Sequence, residues 1–367
     1  MRIGIITVHK STVNYGASLQ CYSLYRYLVS LGHVCEVIDL KRPCHDRYIP
    51  SKSFGESKNI ILKLKNRLYD LLRFRNNRTR KKHFDDFNNL IRYSREYRSV
   101  ESLYNNPPIY DVYISGSDQI WNPNMPFVNA PYFLNFIHGV KKISYASSLG
   151  IDRIEKEEIR NNFISWLSEY TAISVREKSA KSVLNSLSIN NVTQVVDPVF
   201  LTTKAEWESL MPTKRLEQNN YSFAYFLSYD ENYVRIIDSY IKKNSEKVIL
   251  VMSDDSCINV PGVVQLDDIG PIEWLNYLYF SKAVITDSFH ATCFSMIFEK
   301  TFGVIINKEK KTNSRIIDLL TSLHVDNCLN DITEREIKMS SIDDNGRTIL
   351  DDDIQKSKNF LISAITI

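Results

Sequence analysis

Apolar residues fall along this chain in two recurring patterns. Short unbroken runs alternate with longer stretches in which apolar positions return every three or four residues. The runs Arg2–Val8, Val34–Leu40, Asp111–Ser115, Lys142–Ser147, Ala172–Val175 and Val192–Val196 predict buried strands. Among them, Ala17–Leu31 carries Leu19, Tyr22, Leu24, Tyr27, Leu28 and Leu31 at helical spacing, and Glu155–Tyr170 and Lys178–Leu187 also predict helices. A polar, weakly patterned stretch, Met211–Asn220, then interrupts the series. Beyond it come strand Ser222–Leu227, helix Glu231–Lys243, strand Lys247–Met252, helix Ile272–Phe280, strands Ala283–Thr286 and Phe302–Ile306, and helix Ser314–Leu323. A terminal helix is expected over Asp352–Ala364, long enough to cross back onto the first half. This alternation predicts an α/β fold with largely parallel sheets. The polar interruption divides it into two Rossmann-like domains, residues 1–212 and 213–367, facing each other across a cleft.

Composition narrows the setting. The 367 residues suit two domains, and 43% hydrophobic with 24% charged residues describes a soluble globular protein. A net charge of +3 is too small to argue for nucleic acid. Six cysteines are scattered without a C-x-x-C pair, which fits reduced thiols in a cytoplasm. The run Ile3–Val8 is too short for a signal-peptide core, and no run approaches a membrane span. One segment departs from the sheet pattern. Lys58–Lys82 holds ten lysines and arginines against the single acid Asp70, with Ile60, Ile61, Leu64, Leu68, Leu71 and Leu72 at helical spacing. It reads either as a basic amphipathic helix for an anionic membrane surface or as a solvated helix packed on the sheet.

Candidate chemistry gathers at the strand ends, where open α/β sheets bind ligands. In Lys282–Phe298 a strand breaks at Asp287-Ser288 into an apolar helix. Ser288 and His290 then sit at a helix N-terminus that favours an anion, and a histidine there can also move a proton. The competing reading is a capping residue above a packed histidine. Arg176 leaves its strand just before a helix, where a fixed guanidinium can fork onto a carboxylate or phosphate, or else pair with Glu177 or Glu36. In Gly116–Pro123, Asp118 and Asn122 can bond sugar hydroxyls and Trp121 can stack on a sugar face; the alternatives are a capping aspartate and a core tryptophan. Ser147–Gly150 is a small-residue turn open to close approach by a ligand. The polar loop Lys10–Gln20 lacks the glycine spacing of a nucleotide-binding fingerprint, and Asp197-Pro198 reads as structural. No His/Cys/Asp cluster has the spacing of a metal site.

These strand ends carry motifs in a recognisable order: Asn14-Tyr-Gly-Ala-Ser-Leu-Gln20, Gly116-Ser-Asp-Gln-Ile-Trp-Asn-Pro123, Ser174-Val-Arg-Glu-Lys178, Thr286-Asp-Ser-Phe-His290 and Asn313-Ser-Arg-Ile-Ile-Asp-Leu-Leu320. The set resembles the polysaccharide pyruvyl transferase family over nearly the whole chain, the last motif lacking one intervening residue. The resemblance implies a fold like the two-domain glycosyltransferases called GT-B. It also implies phosphoenolpyruvate as donor, with no other cofactor, and a pyruvate ketal on a sugar diol as product. The family's donor-site basic residue and histidine correspond to Arg176 and His290, joined on the donor side by Ser288 and Arg315. Some relatives carry arginine where this chain has Ser288, so Arg315, or Lys308, Lys310 and Lys311, is expected to supply that charge. The N-terminal domain is assigned the acceptor, with Asn14, Tyr15, Gln20, Asp118, Trp121 and Asn122 facing it. His290 is the candidate acid and Asp118 the candidate for hydroxyl activation. An acceptor on a lipid carrier would suit a cytoplasmic protein resting on the inner face of the plasma membrane. Two rival readings are a nucleotide-sugar glycosyltransferase and a non-catalytic carbohydrate-binding protein.

Overall fold

The computed structural model describes residues 1–10, 14–41, 76–125, 130–254, 256–307 and 313–366. Most of the basic segment (residues 58–75) and Lys308, Lys310 and Lys311 lie outside the described residues.

Among the described residues, the first half builds β1 (Arg2–Ile6), α1 (Tyr15–Ser30), β2 (Val34–Leu40), α2 (residues 76–88), β3 (Tyr93–Tyr97), α3 (Val100–Asn105), β4 (Val112–Ser115) and β5 (Lys141–Ser144). The five strands form one parallel sheet in the order β3-β2-β1-β4-β5. After α4 (Glu157–Leu167), the short pair β6 (Ile173–Val175) and β7 (Val192–Gln194) flanks α5 (Lys178–Ser186). This pair runs alongside β5 through bridges at Ile143–Ala172 and Ser147–Val175.

Helix α6 (Lys204–Leu210) leads into the second half: β8 (Tyr221–Phe226), α7 (Glu231–Asn244), β9 (Lys247–Met252), β10 (Val263–Leu266), α8 (Pro271–Phe280), β11 (Ala283–Thr286), α9 (Phe289–Ile297), β12 (Thr301–Ile306), α10 (Ser314–Ser322), β13 (Leu329–Asp331) and α11 (Asp344–Thr366). Its sheet, again parallel, runs β10-β9-β8-β11-β12-β13. Central strands such as β8 and β11 are buried along their whole length because helices cover both faces, and their sequences are correspondingly continuous in apolar and small residues.

Each sheet reverses its strand order at one point, between β1 and β4 in the first and between β8 and β11 in the second. Ligands bind beyond the carboxyl ends of strands at such points. The two reversal points face each other. α1 begins just after β1, and a Cβ built on Gly16 in its first turn would lie 2.1 Å from Nδ1 of His290, which follows β11. The Tyr15 hydroxyl donates to the Ile269 carbonyl at 3.1 Å, and its ring stacks on Trp274 of α8, centroids 5.7 Å apart. One apolar core therefore runs through α1, α8 and α9 without a break between the sheets. α11 begins eight residues earlier than its sequence pattern suggests and reaches the first sheet, where the Ile365 carbonyl accepts from Lys141 Nζ at 3.0 Å.

Candidate active site

The turn from β11 into α9 is held from within its own domain. Thr286 Oγ1 donates to the Tyr225 carbonyl at 2.6 Å and accepts from the Ser288 amide at 3.0 Å. The Asp287 carboxylate accepts from the Leu227 amide and the Tyr233 hydroxyl. Ser288 is the N-cap of α9, its hydroxyl accepting from the Ala291 amide at 3.4 Å. That fixes where His290 stands. Its ring is almost fully buried against Gly16 on the Nδ1 side, and Nε2 lies 3.5 Å from Asp197 Oδ2.

Asp197 organises the site. It follows β7, is 1% exposed, and accepts from Arg176 Nη1 at 2.6 Å, from Ser117 Oγ at 3.2 Å and from the Val199 amide at 3.1 Å. Burial alone would raise this carboxyl, but His290, Arg176 and the Val199 amide outweigh it and hold it well below the usual carboxylate range. Arg176 is 6% exposed and uses one N–H group on Asp197. Its Nε lies 3.7 Å from Glu177 Oε2, too far for a hydrogen bond, and both Nε and Nη2 lack a hydrogen-bond partner among the described residues. Glu36, the other sequence-level partner for Arg176, instead receives the Tyr110 hydroxyl and pairs with Arg92.

The Ser147–Gly150 turn is not open to a ligand. Glu177 Oε1 fills it, accepting from Ser148 Oγ at 2.8 Å, the Leu149 amide at 2.9 Å and the Gly150 amide at 3.1 Å. A carboxylate on the first residue past Arg176 satisfies these amides and so locks β6 against the end of β5.

From the other domain, Arg315 in the first turn of α10 approaches the same place. The Arg176 and Arg315 guanidiniums lie 4.4 Å and 5.7 Å from the centroid of one ring, Phe289. Burial, reinforced by repulsion from Arg176, pulls Arg315 down to about 10, and its Nε lacks a hydrogen-bond partner among the described residues. A cavity of about 180 Å³ opens here, with Arg176, Asp197, Phe289, Arg315 and Asp318 among its lining residues. Buried guanidinium N–H groups beside a cavity can take an anionic ligand, because a buried donor left unpaired costs more than a made hydrogen bond gains.

The residues assigned to the acceptor take other positions. Trp121 is fully buried, stacked on Phe133 at 5.1 Å, with Nε1 donating to the Tyr132 carbonyl; it has no face left for a sugar. Tyr15 belongs to the interdomain core described above. Gln20 is buried, its amide donating to Thr7 Oγ1 and to the Val8 and Ala17 carbonyls, which tie α1 to the end of β1. Asn14 caps α1 by accepting from the Ala17 amide at 3.0 Å, and Asn122 bonds Gln119 at 2.6 Å. These five positions support the cleft's shape and leave little of themselves exposed to it. Asp118 differs. It is part-exposed, holds a left-handed φ of 72°, and is close enough to act electrostatically on both Arg176 and Arg315. Strained backbone of this kind costs about 1–3 kcal/mol and concentrates at functional sites. Among the described residues no three His, Cys, Asp or Glu side chains converge as a metal site.

The architecture has solved counterparts. The UDP-N-acetylglucosamine 2-epimerase of Rickettsia bellii aligns over 99% of this chain and 96% of its own, with a TM-score of 0.50 at 8% identity. The S. aureus MnaA structure with UDP aligns over 98% and 87%, with a TM-score of 0.51 at 9% identity. Identities this low establish the fold alone: two parallel α/β sheets in the GT-B arrangement. No protein of curated function matches the chain. Residues 14–309 match the polysaccharide pyruvyl transferase family, and the chain belongs to that family.

Proposed function

We propose that this protein transfers the enolpyruvyl group of phosphoenolpyruvate to two hydroxyls of a sugar, forming a pyruvate ketal and releasing phosphate. The observation that carries the reading is the pair Arg176 and Arg315 around Phe289, with buried N–H groups that lack partners beside a small cavity. Membership of a transferase family supports the reaction class. Cavity size supports the donor: about 180 Å³ is below the roughly 300–1,000 Å³ of pockets that take drug-sized ligands. A three-carbon phosphate ester suits that volume better than a nucleotide sugar.

The chemistry sets three demands. The donor's methylene carbon must gain a proton, which leaves an oxocarbenium-like centre at C2. One sugar hydroxyl attacks and loses its proton; the C2–O bond to phosphate then breaks, and the second hydroxyl closes the ring with loss of its proton. Two arginines meet the demand for anion binding, each charge-assisted hydrogen bond contributing about 1.5–3 kcal/mol. His290, whose Nε2 lies 3.5 Å from Asp197 of the cavity wall, is the proton donor in this reading, and Asp118 accepts the proton of the attacking hydroxyl; both approach the cavity from outside its lining. Ser288 contributes through the helix it caps. The reaction as written needs no cofactor beyond the donor.

An acceptor carried on a lipid fits the basic segment 58–82 and a cytoplasmic protein resting on the inner face of the plasma membrane, as in capsule or exopolysaccharide synthesis. Among the described residues no helix is long and apolar enough to cross a membrane. Flotation with anionic vesicles tests the surface contact, and protein left at the bottom of the gradient would end that part of the proposal. The donor is tested by thermal melting with millimolar phosphoenolpyruvate beside UDP-, GDP- and CMP-sugars. A ligand at a hundred times its Kd adds about 2.7 kcal/mol and raises the melting point. A rise with phosphoenolpyruvate is expected; a rise with a nucleotide sugar alone would replace this reading by glycosyl transfer.

A further inference from the structure

The cavity at Arg176 has a wall that neither sheet supplies. α11 crosses from the second domain and lines it with Asp353, Lys356 and Ser357. Ser357 sets the register of that crossing. Its buried hydroxyl accepts from the Val196 amide at 2.9 Å and donates to the Asp353 carbonyl at 2.6 Å. The tie lies one residue from Lys356 on the helix and one residue from Asp197 on the loop. Lys356 is thereby held at the rim, its side chain 74% exposed and paired at 3.2 Å with Asp353 of its own helix. An exposed pair of this kind contributes about 0–1 kcal/mol, so the ammonium exchanges it readily for a stronger anion.

Four carboxylates line the same cavity: Glu177, Asp197, Asp318 and Asp353. Asp197 is taken by Arg176; Glu177 Oε1 is taken by Ser148, Leu149 and Gly150, while its Oε2 lacks a hydrogen-bond partner among the described residues. Asp318 faces the Lys178 and Ser179 amides at the start of α5 but keeps Oδ2 without a hydrogen-bond partner among the described residues, and Asp353 holds Lys356 itself. Beside them stand two guanidiniums, whose Nε groups and Arg176 Nη2 lack partners among the described residues, and one ammonium at the mouth.

Resting on the pyruvyl-transfer reading above, we infer that Lys356 binds the phosphate group of the donor at the rim while Arg176 and Arg315 take the carboxylate inside. The planar guanidinium fork matches a carboxylate, whereas a lysine ammonium is a point charge suited to the more hydrated phosphate. The arrangement also leaves the departing phosphate next to solvent. Lys356 lies beyond residues 14–309, the stretch matched to the family, so this contact is set by the crossing of α11.

The experiment is calorimetric titration of wild type, Lys356→Ala, Lys356→Arg and Asp353→Asn with phosphoenolpyruvate, inorganic phosphate and pyruvate. Lys356→Ala is expected to raise Kd for phosphoenolpyruvate and phosphate by about threefold to tenfold, between an exposed ion pair and a charge-assisted hydrogen bond, and to leave pyruvate unchanged. Lys356→Arg restores most of the loss. Asp353→Asn frees the ammonium and lowers Kd for phosphate. A purely structural helix pair predicts instead that Lys356→Ala and Asp353→Asn act alike, and that result would overturn the inference. So would an equal effect on pyruvate, or no effect in a wild type that binds phosphoenolpyruvate. A wild type that binds neither phosphoenolpyruvate nor phosphate would overturn this inference and the pyruvyl-transfer reading together.

Discussion

Replacing Arg176 by alanine removes two things at once, and the structure says how to separate them. The first is half of a buried ion pair. Asp197, 1% exposed, would keep only Ser117 Oγ, the Val199 amide and a histidine 3.5 Å away. Breaking a buried pair from one side costs about 3–5 kcal/mol, because the remaining charge is uncompensated. The second loss, on the proposed reading, is the donor contact of Nε and Nη2, which lack a hydrogen-bond partner among the described residues. One charge-assisted contact to the donor corresponds to about tenfold to a hundredfold in donor use. The variant Arg176→Ala/Asp197→Asn is neutral on both sides, so it should recover much of the lost stability while donor affinity stays low. Urea unfolding would follow the first quantity and the dependence of initial rate on phosphoenolpyruvate the second. Contacting residues are expected to couple by about 0.5–3 kcal/mol in such a cycle. Donor affinity that returns together with stability in the double variant would refute the reasoning and leave Arg176 a structural residue.

Acid stability depends on the same carboxyl. Its folded value lies below the usual range, so its contribution is complete above the unfolded value of about 4 and is lost as pH falls below it. Asp197→Asn should flatten the stability curve between pH 5 and pH 3 in urea titrations; a slope like the wild type's would show that Asp197 is not its source. Gly16→Ala puts a Cβ 2.1 Å from His290 Nδ1 and must displace the ring, so turnover should fall by up to about a hundredfold with the fold intact, as read by circular dichroism beside rates. His290→Ala should abolish turnover without unfolding the chain, and retained activity would leave the ring a packing element. Trp121→Ala should cost about 3–5 kcal/mol of stability and leave the KM for acceptor unchanged; a raised KM at full stability would return Trp121 to the sugar.

What could be read from the chain, and what could not, follows from where each element sits. Strands Val34–Leu40, Lys247–Met252 and Ala283–Thr286 match their runs to the residue, because helices cover both faces of the sheets and most of their positions are buried and apolar, with Glu36, Asp39 and Lys247 as the charged exceptions. The strands the pattern missed, β3, β10 and β13, are all sheet edges. Exposure on one side admits residues such as Ser94, Arg95 and Glu96, and the period disappears. Helix α6 was missed although its capping box, Thr203 with Glu206, is written in the sequence. Strand ends concentrate function, so Arg176 and His290 were legible as candidates; Arg315 entered only through the family resemblance, and the fold brings all three around Phe289. Asp197 was not legible. Its role depends on a partner 21 residues away and on another 93 residues away, and an Asp-Pro turn looks the same with or without them. Trp121 shows the converse ambiguity, since a flat apolar ring after a strand has one signature whether it faces a sugar or Phe133. Only burial distinguishes them, and burial is set by the rest of the chain. The same holds for Lys356, an ordinary surface lysine in sequence. It lines the same cavity as Arg176 because the hydroxyl of Ser357, its neighbour, accepts from the Val196 amide next to Asp197. A site assembled by a terminal helix crossing back can be found only after the crossing is known.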